Sequence, residues 1–561
     1  MIFALWITVF AQTYTTLEIG KTDERELKAG EAQSYQITLD KGQYLNAAVN
    51  QRGIYVVVLI FAPDNSKIAE IDSPNGDQGD EPIGLEAKTA GVYRIEVVPN
   101  EEEGNAKSGR YEIRISQLLS VEQNTARLAE LKRKQQSVIK WLKDNAIPLK
   151  TVEAGNGFAD LQPLKKVLKD VRFVGLGEAT HGTREFFQFK HRMLEFLVKG
   201  MNFRVFAIEA SYSACQNIND YVMGKSDDGA KALDSQGFWT WNTEEVRRMI
   251  DWMREYNKSV PADKKVKFVG FDIQINATGE TKLLEYLKRV APERAAETGT
   301  LFKADFEEAS YVAFSEKGDK AKAALTKAIE LKRDYSDLFV FLELNEMNLI
   351  AKSNRAEYEQ LRELARVLAQ FTDSYSSAEW RKSPAMRDLY MVDNLRRIAS
   401  REPPNTRFVV WAHNGHIQTG ESDGYQTLGH HLRRLYGKNY YALGFNQGAF
   451  QSREQQPQEK GKVMLKSWSV APAIPDSIEW YEAQTGMKSF IVDFRAARQT
   501  AESTEWLDTP RPFRSIGSTY VPSFEATPYP PKTLDKEFDG LFFVDTTTRA
   551  RPNSSVKNVA P

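Results

Sequence analysis

Two apolar runs far apart in the chain end in the same way. Val171–Val174 leads into Gly175-Leu176-Gly177-Glu178-Ala179-Thr180-His181-Gly182-Thr183, and Arg407–Val410 leads into Trp411-Ala412-His413-Asn414-Gly415-His416. Each reads as a buried strand that opens at its C-terminal end into a turn carrying ionisable side chains. Further strand-like runs at Val205–Glu209, Lys267–Phe271, Tyr440–Gly444, Phe490–Asp493 and Leu541–Val544 are separated by helical patterns. That alternation predicts βαβ units and a largely parallel sheet. In an open α/β sheet ligands bind at the carboxyl ends of the strands. Three of the six histidines sit in the two turns. The pattern therefore predicts that Glu178, His181, His413 and His416 converge on one cleft.

The segment before this alternation is different. Residues 17–118 carry short runs rich in β-branched and aromatic residues, among them Tyr35–Leu39, Tyr44–Val49, Ile54–Phe61, Val92–Val98 and Tyr111–Ile115. Turn clusters such as Asp40-Lys41-Gly42 and Pro63-Asp64-Asn65 separate them. Strands at this spacing predict a small all-β sandwich. A linking helix is expected within 119–148, where Leu128, Leu131, Val138 and Leu142 recur at helical spacing and Pro148 follows. Residues 149–561 form the α/β domain, and the charged, Ala- and Leu-rich stretch 278–404 reads as a helical lid over the sheet edge. The fold class is thus α/β, a largely parallel sheet with flanking helices and a helical lid, preceded by the sandwich.

Composition narrows the function classes. A formal net charge of −1 over 561 residues gives no basic field for nucleic acid. No later stretch reaches the ~18 consecutive apolar residues needed to cross a bilayer. Cys215 is the sole cysteine, so no intrachain disulfide forms. The apolar opening Met1–Gln12 places Val9 and Ala11 as a signal-peptidase site would require, although its basic residues begin only at Lys21. A signal peptide over 1–16, and a periplasmic or secreted location, are expected from it.

Three letter patterns lead elsewhere. Gly175-Leu176-Gly177-Glu178-Ala179-Thr180 approaches a dinucleotide fingerprint, but Thr180 replaces the third glycine and Glu178 sets a carboxylate where pyrophosphate must lie. Gly420-Glu421-Ser422-Asp423-Gly424 spells a nucleophile elbow, yet follows a polar loop rather than a strand. Glu178, His181, His413 and His416 are types that ligate zinc, but neither segment is His-Glu-x-x-His. A neutral-range base for water is the chemistry that histidine supplies directly. Such a base needs a carboxylate to fix its tautomer, and Glu178 or Glu209 serves equally by sequence. The oxyanion needs donors: His413, His416, Lys190 and Arg184 are candidates. Trp239 and Trp241, in Phe238-Trp239-Thr240-Trp241-Asn242, are candidates for a substrate wall. Arg387 either lines the cleft or pairs with other charges, as does Asp388 beside it.

Residues from about 134 to 548 resemble the erythromycin esterase family. The carrying segments are Gly177–Phe187, Lys190-His191-Arg192, Phe206–Ala210, Gly270–Gln274, Arg387–Asn394, Trp411–His416 and Phe538–Val544. The resemblance implies a parallel α/β sheet with a helical lid, distantly similar to a haem-binding lipoprotein family and to membrane-tethered metalloproteases. It implies hydrolysis of a carboxylic ester, for characterised members the macrolactone of macrolide antibiotics and hence antibiotic resistance. The reaction uses activated water, no serine nucleophile, no metal and no cofactor. By position, His181 matches the general base, and Glu178, Glu209, His413 and His416 match other active-site positions. Lys190 stands where the family often has arginine; it keeps the charge and loses the bidentate fork. The N-terminal module resembles the pre-peptidase C-terminal type of β-sandwich, which implies a carbohydrate or protein partner outside the cytoplasm. The competing functions are a metal-dependent hydrolase or protease using the same cluster, and a non-catalytic haem- or ligand-binding protein.

Overall fold

The computed structural model describes residues 14–554 apart from 74, 101–107, 275–276, 377–381, 423, 458–462, 519 and 521–528. The apolar opening Met1–Gln12 lies outside the described residues. The chain divides into two compact units, Met1–Gln136 and Ser137–Pro561.

The first unit is all-β. One sheet holds Gln33–Leu39, Gly91–Pro99, Val56–Phe61 and Lys67–Ile71, with the short Thr15–Thr16 at its edge. The other holds Thr22–Lys28, Ser108–Leu119, Tyr44–Arg52 and Gln78–Glu86. Alternate residues of both sheets, among them Leu27, Tyr35, Val49, Val58, Ile95 and Ile113, form one buried core, the period-2 pattern of a sandwich. Gln78–Glu86 is a strand that composition hides, because Gly, Asp and Pro interrupt its apolar residues.

The helix Val121–Asn145 crosses the division between the units. Its C-terminal half supplies Val138, Trp141 and Leu142 to the core of the second unit. Leu128 and Leu131, expected on the same packed face, remain exposed.

The second unit is built on a sheet whose order is Ala146–Pro148, Ser489–Asp493, Gly540–Thr547, Tyr440–Pro457, Phe173–Leu176, Arg407–Trp411, Phe203–Ser211, Lys267–Asp272. The five pairings from Gly540–Thr547 across to Lys267–Asp272 are parallel. Ser489–Asp493 runs antiparallel, and Val463–Val470 folds back on the long strand Tyr440–Pro457. Helices cover both faces: Arg184–Met201 and Glu244–Lys258 on one, Lys382–Ser400 and Leu428–Tyr436 on the other. Central strands such as Phe173–Leu176 are buried throughout, as a doubly covered parallel sheet requires. Between Ala277 and Ser400 the described residues are mostly helical, as the composition predicts. From Phe173–Leu176 the chain crosses to one side of the sheet, returns through Arg407–Trp411, and then crosses to the other side. The reversal opens a crevice at the strand ends, the usual ligand position in such sheets.

Candidate active site

Glu178 follows the strand Phe173–Leu176 and is fully buried. Its Oε1 lies 2.5 Å from His181 Nδ1. Its Oε2 accepts from Lys190 Nζ at 2.7 Å and from Trp411 Nε1 at 3.1 Å. Burial opposes the Glu178 charge, yet Lys190 and His181 hold the carboxyl below its ordinary range. A carboxylate only accepts, so His181 Nδ1 carries the proton and Nε2 keeps a lone pair. This turn fits closely against the second one. Asn414 donates from its backbone to the Glu178 carbonyl at 2.9 Å, and a Cβ on Gly177 would meet Asn414 Oδ1 at 2.0 Å, so any side chain there would displace the Asn414 amide from its bonds to Phe445.

Glu209 ends the strand Phe203–Ser211 on the other side of Trp411. It does not orient His181. Its Oε2 accepts the backbone N–H of His413 at 2.9 Å, and its Oε1 lies 2.8 Å from Arg387 Nη2 and 3.1 Å from His416 Nε2. Although burial raises it, His416 and Arg387 hold this carboxyl well below its ordinary range. Arg387, on the helix Lys382–Ser400, grips Asp272 with Nε at 3.1 Å and Nη2 at 2.6 Å. Its neighbour Asp388 lies 2.6 Å from His416 Nδ1.

The two histidines of the second turn are held in opposite states. His413 caps the short helix Asn414–Ile417, and its Nδ1 accepts from the Gly415 N–H at 3.1 Å. Nε2 therefore carries the proton, and it is buried with no hydrogen-bond partner. Burial, reinforced by His181, pulls His413 down to about 3, so the ring is neutral. His416 is equally enclosed, but Asp388 and Glu209 outweigh burial and push it up to about 10. As an imidazolium it donates from both nitrogens, so its 3.2 Å approach to Arg387 Nη1 is a contact between two cations that share Glu209.

A cleft of about 420 Å³ opens over these groups, lined by His181, Glu209, Arg387, His413 and His416 with Phe238, Trp239, Trp241 and Gln274. Trp239 is on its wall. Trp241 is almost wholly buried, donates to the Glu209 carbonyl at 3.0 Å, and packs edge-on to His181 with centroids 5.3 Å apart. Two expected substrate contacts lie elsewhere. Lys190 projects from the buried stripe of the helix Arg184–Met201 and sits behind Glu178, with Nζ 4.1 Å from the Trp411 ring centroid. Arg184 begins that helix, faces Glu245 at 3.2 Å, and lines a separate surface pocket. A segment without a motif also reaches the cleft. Gly517 accepts the His181 N–H at 3.0 Å, Ile516 donates to the Ala179 carbonyl at 2.8 Å, and Ser518 joins the wall.

Among the described residues no group of three or more His, Cys, Asp or Glu side chains is arranged to hold a metal ion. The four side chains of the zinc reading do not offer four donors to one ion. His413 presents Nε2–H rather than a lone pair because its Nδ1 accepts from Gly415, and both nitrogens of His416 face carboxylates, which leaves His181 Nε2 as the one ring nitrogen of the three with a lone pair toward the cleft.

A carboxylate-held imidazole facing a cleft at the end of a parallel sheet is placed to act as a general base. The sequence profile of the Erythromycin esterase family matches residues 198–547, more than half of the chain, and the chain belongs to this family. It is 25% identical over 432 residues to erythromycin esterase type II of Escherichia coli, covering 73% of this chain and 97% of that one. It is 26% identical over 396 residues to the putative hydrolase YbfO of Bacillus subtilis, covering 66% and 84%. A solved structure described as a succinoglycan biosynthesis protein superposes with a TM-score of 0.61 at 24% identity, over 75% of this chain and 99% of that one. A mutant of the erythromycin esterase EreC in its open conformation gives 0.52 at 16% identity, over 70% and 95%. These likenesses establish the shared fold. The profile match starts after Glu178, His181 and Lys190 and includes Glu209, Asp272, Arg387, Asp388, His413 and His416.

Proposed function

We propose that this chain hydrolyses a carboxylic ester of a small molecule with water activated by His181. The observation that carries this reading is the 2.5 Å contact between Glu178 Oε1 and His181 Nδ1 at the mouth of the cleft. It leaves Nε2 to take a proton from water as the water oxygen attacks the ester carbonyl. The carbonyl oxygen becomes an oxyanion, which His413 Nε2–H is free to bind and which the charges of His416 and Arg387 favour. A neutral imidazole suits this donor role because it offers a hydrogen without competing for one. On collapse the carbon–oxygen bond to the alcohol breaks and His181 returns its proton to the leaving alkoxide. The set at and behind the cleft counts four carboxylates (Glu178, Glu209, Asp272, Asp388) against three cations (Lys190, Arg387, His416). The positive charge that forms on His181 in this step is met by the Glu178 carboxylate.

The macrolactone of a macrolide is the first substrate to test, because a relative spanning 97% of its own length is named an erythromycin esterase. Export to the periplasm or beyond is part of the proposal, supported by the apolar Met1–Gln12; sequencing the N-terminus of the mature protein tests it. A carbohydrate or protein partner for the β-sandwich is likewise proposed.

The test is an ester panel including erythromycin, run on the parent and on His181→Asn. General-base catalysis contributes ~10²–10⁴-fold, so kcat should fall by at least that order with folding unchanged. Parent-like turnover by a folded variant would remove His181 from this role.

A further inference from the structure

Asp388 makes no contact with the cleft, yet the groups that do depend on it. It is fully buried and both oxygens are committed: Oδ1 faces His416 Nδ1 at 2.6 Å, and Oδ2 accepts the Leu428 N–H at 2.9 Å. From His416 the chain of contacts continues through Nε2 to Glu209 Oε1, and from Glu209 Oε2 to the His413 backbone N–H. That backbone carries the imidazole whose Nε2 is buried and unpartnered. His416 is faced by Asp388 and Arg387 from the helix Lys382–Ser400, by Glu209 from its strand, by His413 from its own turn and by His181 across the cleft. Asp272 stands behind Arg387, and His431 on the next helix lies near Asp388. Arg387 Nη1 at 3.2 Å would by itself drive the proton off His416. A carboxylate on each ring nitrogen prevents this.

We propose that Asp388 is a positioning residue for the hydrolysis, acting through His416: it keeps that ring a cation against Glu209 and so holds the Glu209–His413 hydrogen bond that aims the His413 donor. The role rests on the ester-hydrolase reading above. Asp388 resembles the buried aspartate of a hydrolytic triad in holding a histidine from behind. The ring it holds, however, is neither the base nor a direct donor to substrate.

Two measurements decide it. The first uses the full-length parent protein labelled with ring-¹⁵N histidine, the His416 signal being assigned by its loss in His416→Gln. Both His416 nitrogens should stay protonated from pH 6 to 9, and in Asp388→Asn the ring should lose its proton within that range. A neutral His416 in the parent at pH 7–8 overturns the proposal, and this reading needs no variant of Asp388 to fold. The second is kinetic. Asp388→Asn should lower kcat at least ~10-fold with KM little changed, and its activity should decline as pH rises through the range where His416 deprotonates. Adding Asp388→Asn to His416→Gln should cost nothing more. Independent, multiplying losses would show that Asp388 does not act through His416. Should no ester be turned over by the parent, the hydrolase reading falls, and the ¹⁵N titration alone decides whether Asp388 fixes the charge of His416.

Discussion

Lys190 holds a charge where no water reaches it. Burial pulls its ammonium down to about 8, with Glu178 opposing the fall, so the ion pair persists at neutral pH. Its distance from the cleft changes what a mutation there should do. Lys190→Met leaves Glu178 buried and unpaired by a cation. Breaking a buried pair this way costs about 3–5 kcal/mol, which denaturant unfolding would read. The Glu178 carboxyl would then move upward, and a protonated Glu178 no longer favours the His181 imidazolium. The expected kinetic result is a lower kcat with KM nearly unchanged. A variant that raises KM alone would mean that Lys190 touches substrate after all.

The turn His413–Ile417 carries two rings pushed in opposite directions, and this gives stability a pH dependence that can be worked out in sign. The folded value of His416, about 10, lies above the ~6.5 of an unfolded histidine. Its contribution is therefore complete below ~6.5 and is lost as pH rises through 10. His413 is depressed to about 3, so its contribution is complete above ~6.5 and is lost as pH falls towards 3. The Tm gap between parent and His416→Gln should shrink from pH 6 to 10. With His413→Gln the comparison should shift in the variant's favour below pH 6. Melting curves across pH check both, and a pH-independent gap would contradict the assignment. Much of this element was legible in sequence. An apolar run ending in His-Asn-Gly-His announces a strand, a turn and a cleft. Which carboxylate serves which ring was not legible, because Glu178 and Glu209 end strands that follow one another in the sequence, and only the insertion of the strand Arg407–Trp411 between them separates their partners. Asp272 sits in a quoted motif, but its grip on Arg387 spans 115 positions and leaves no local pattern. Lys190 was expected as an oxyanion donor; its place on the buried stripe of the helix, behind Glu178, shows only in the packing.

At the scale of the whole molecule, each unit has its own core, and the helix Val121–Asn145 gives its last turns to the α/β core. A chain starting at Ser120 keeps those turns and every histidine. It should fold and retain kcat on a small soluble ester; circular dichroism and steady-state rates would check this. If a well-folded truncated chain were inactive and recovered when residues 14–119 were supplied in trans, the β-sandwich would have to complete the site. Distant parts of the sequence meet at the base itself. The backbone of His181 is tied to Gly517, that of Gly182 to Ala550, and Arg184 to Thr548, while the strand Gly540–Thr547 must enter between two others before the sheet is whole. On the ribosome, then, the loop bearing His181 emerges hundreds of residues before the segments that fix it. A nascent chain halted between His416 and about residue 550 would carry every ionisable group of the cleft and still lack a set base, so hydrolytic competence should switch on only once residues 517–550 have emerged.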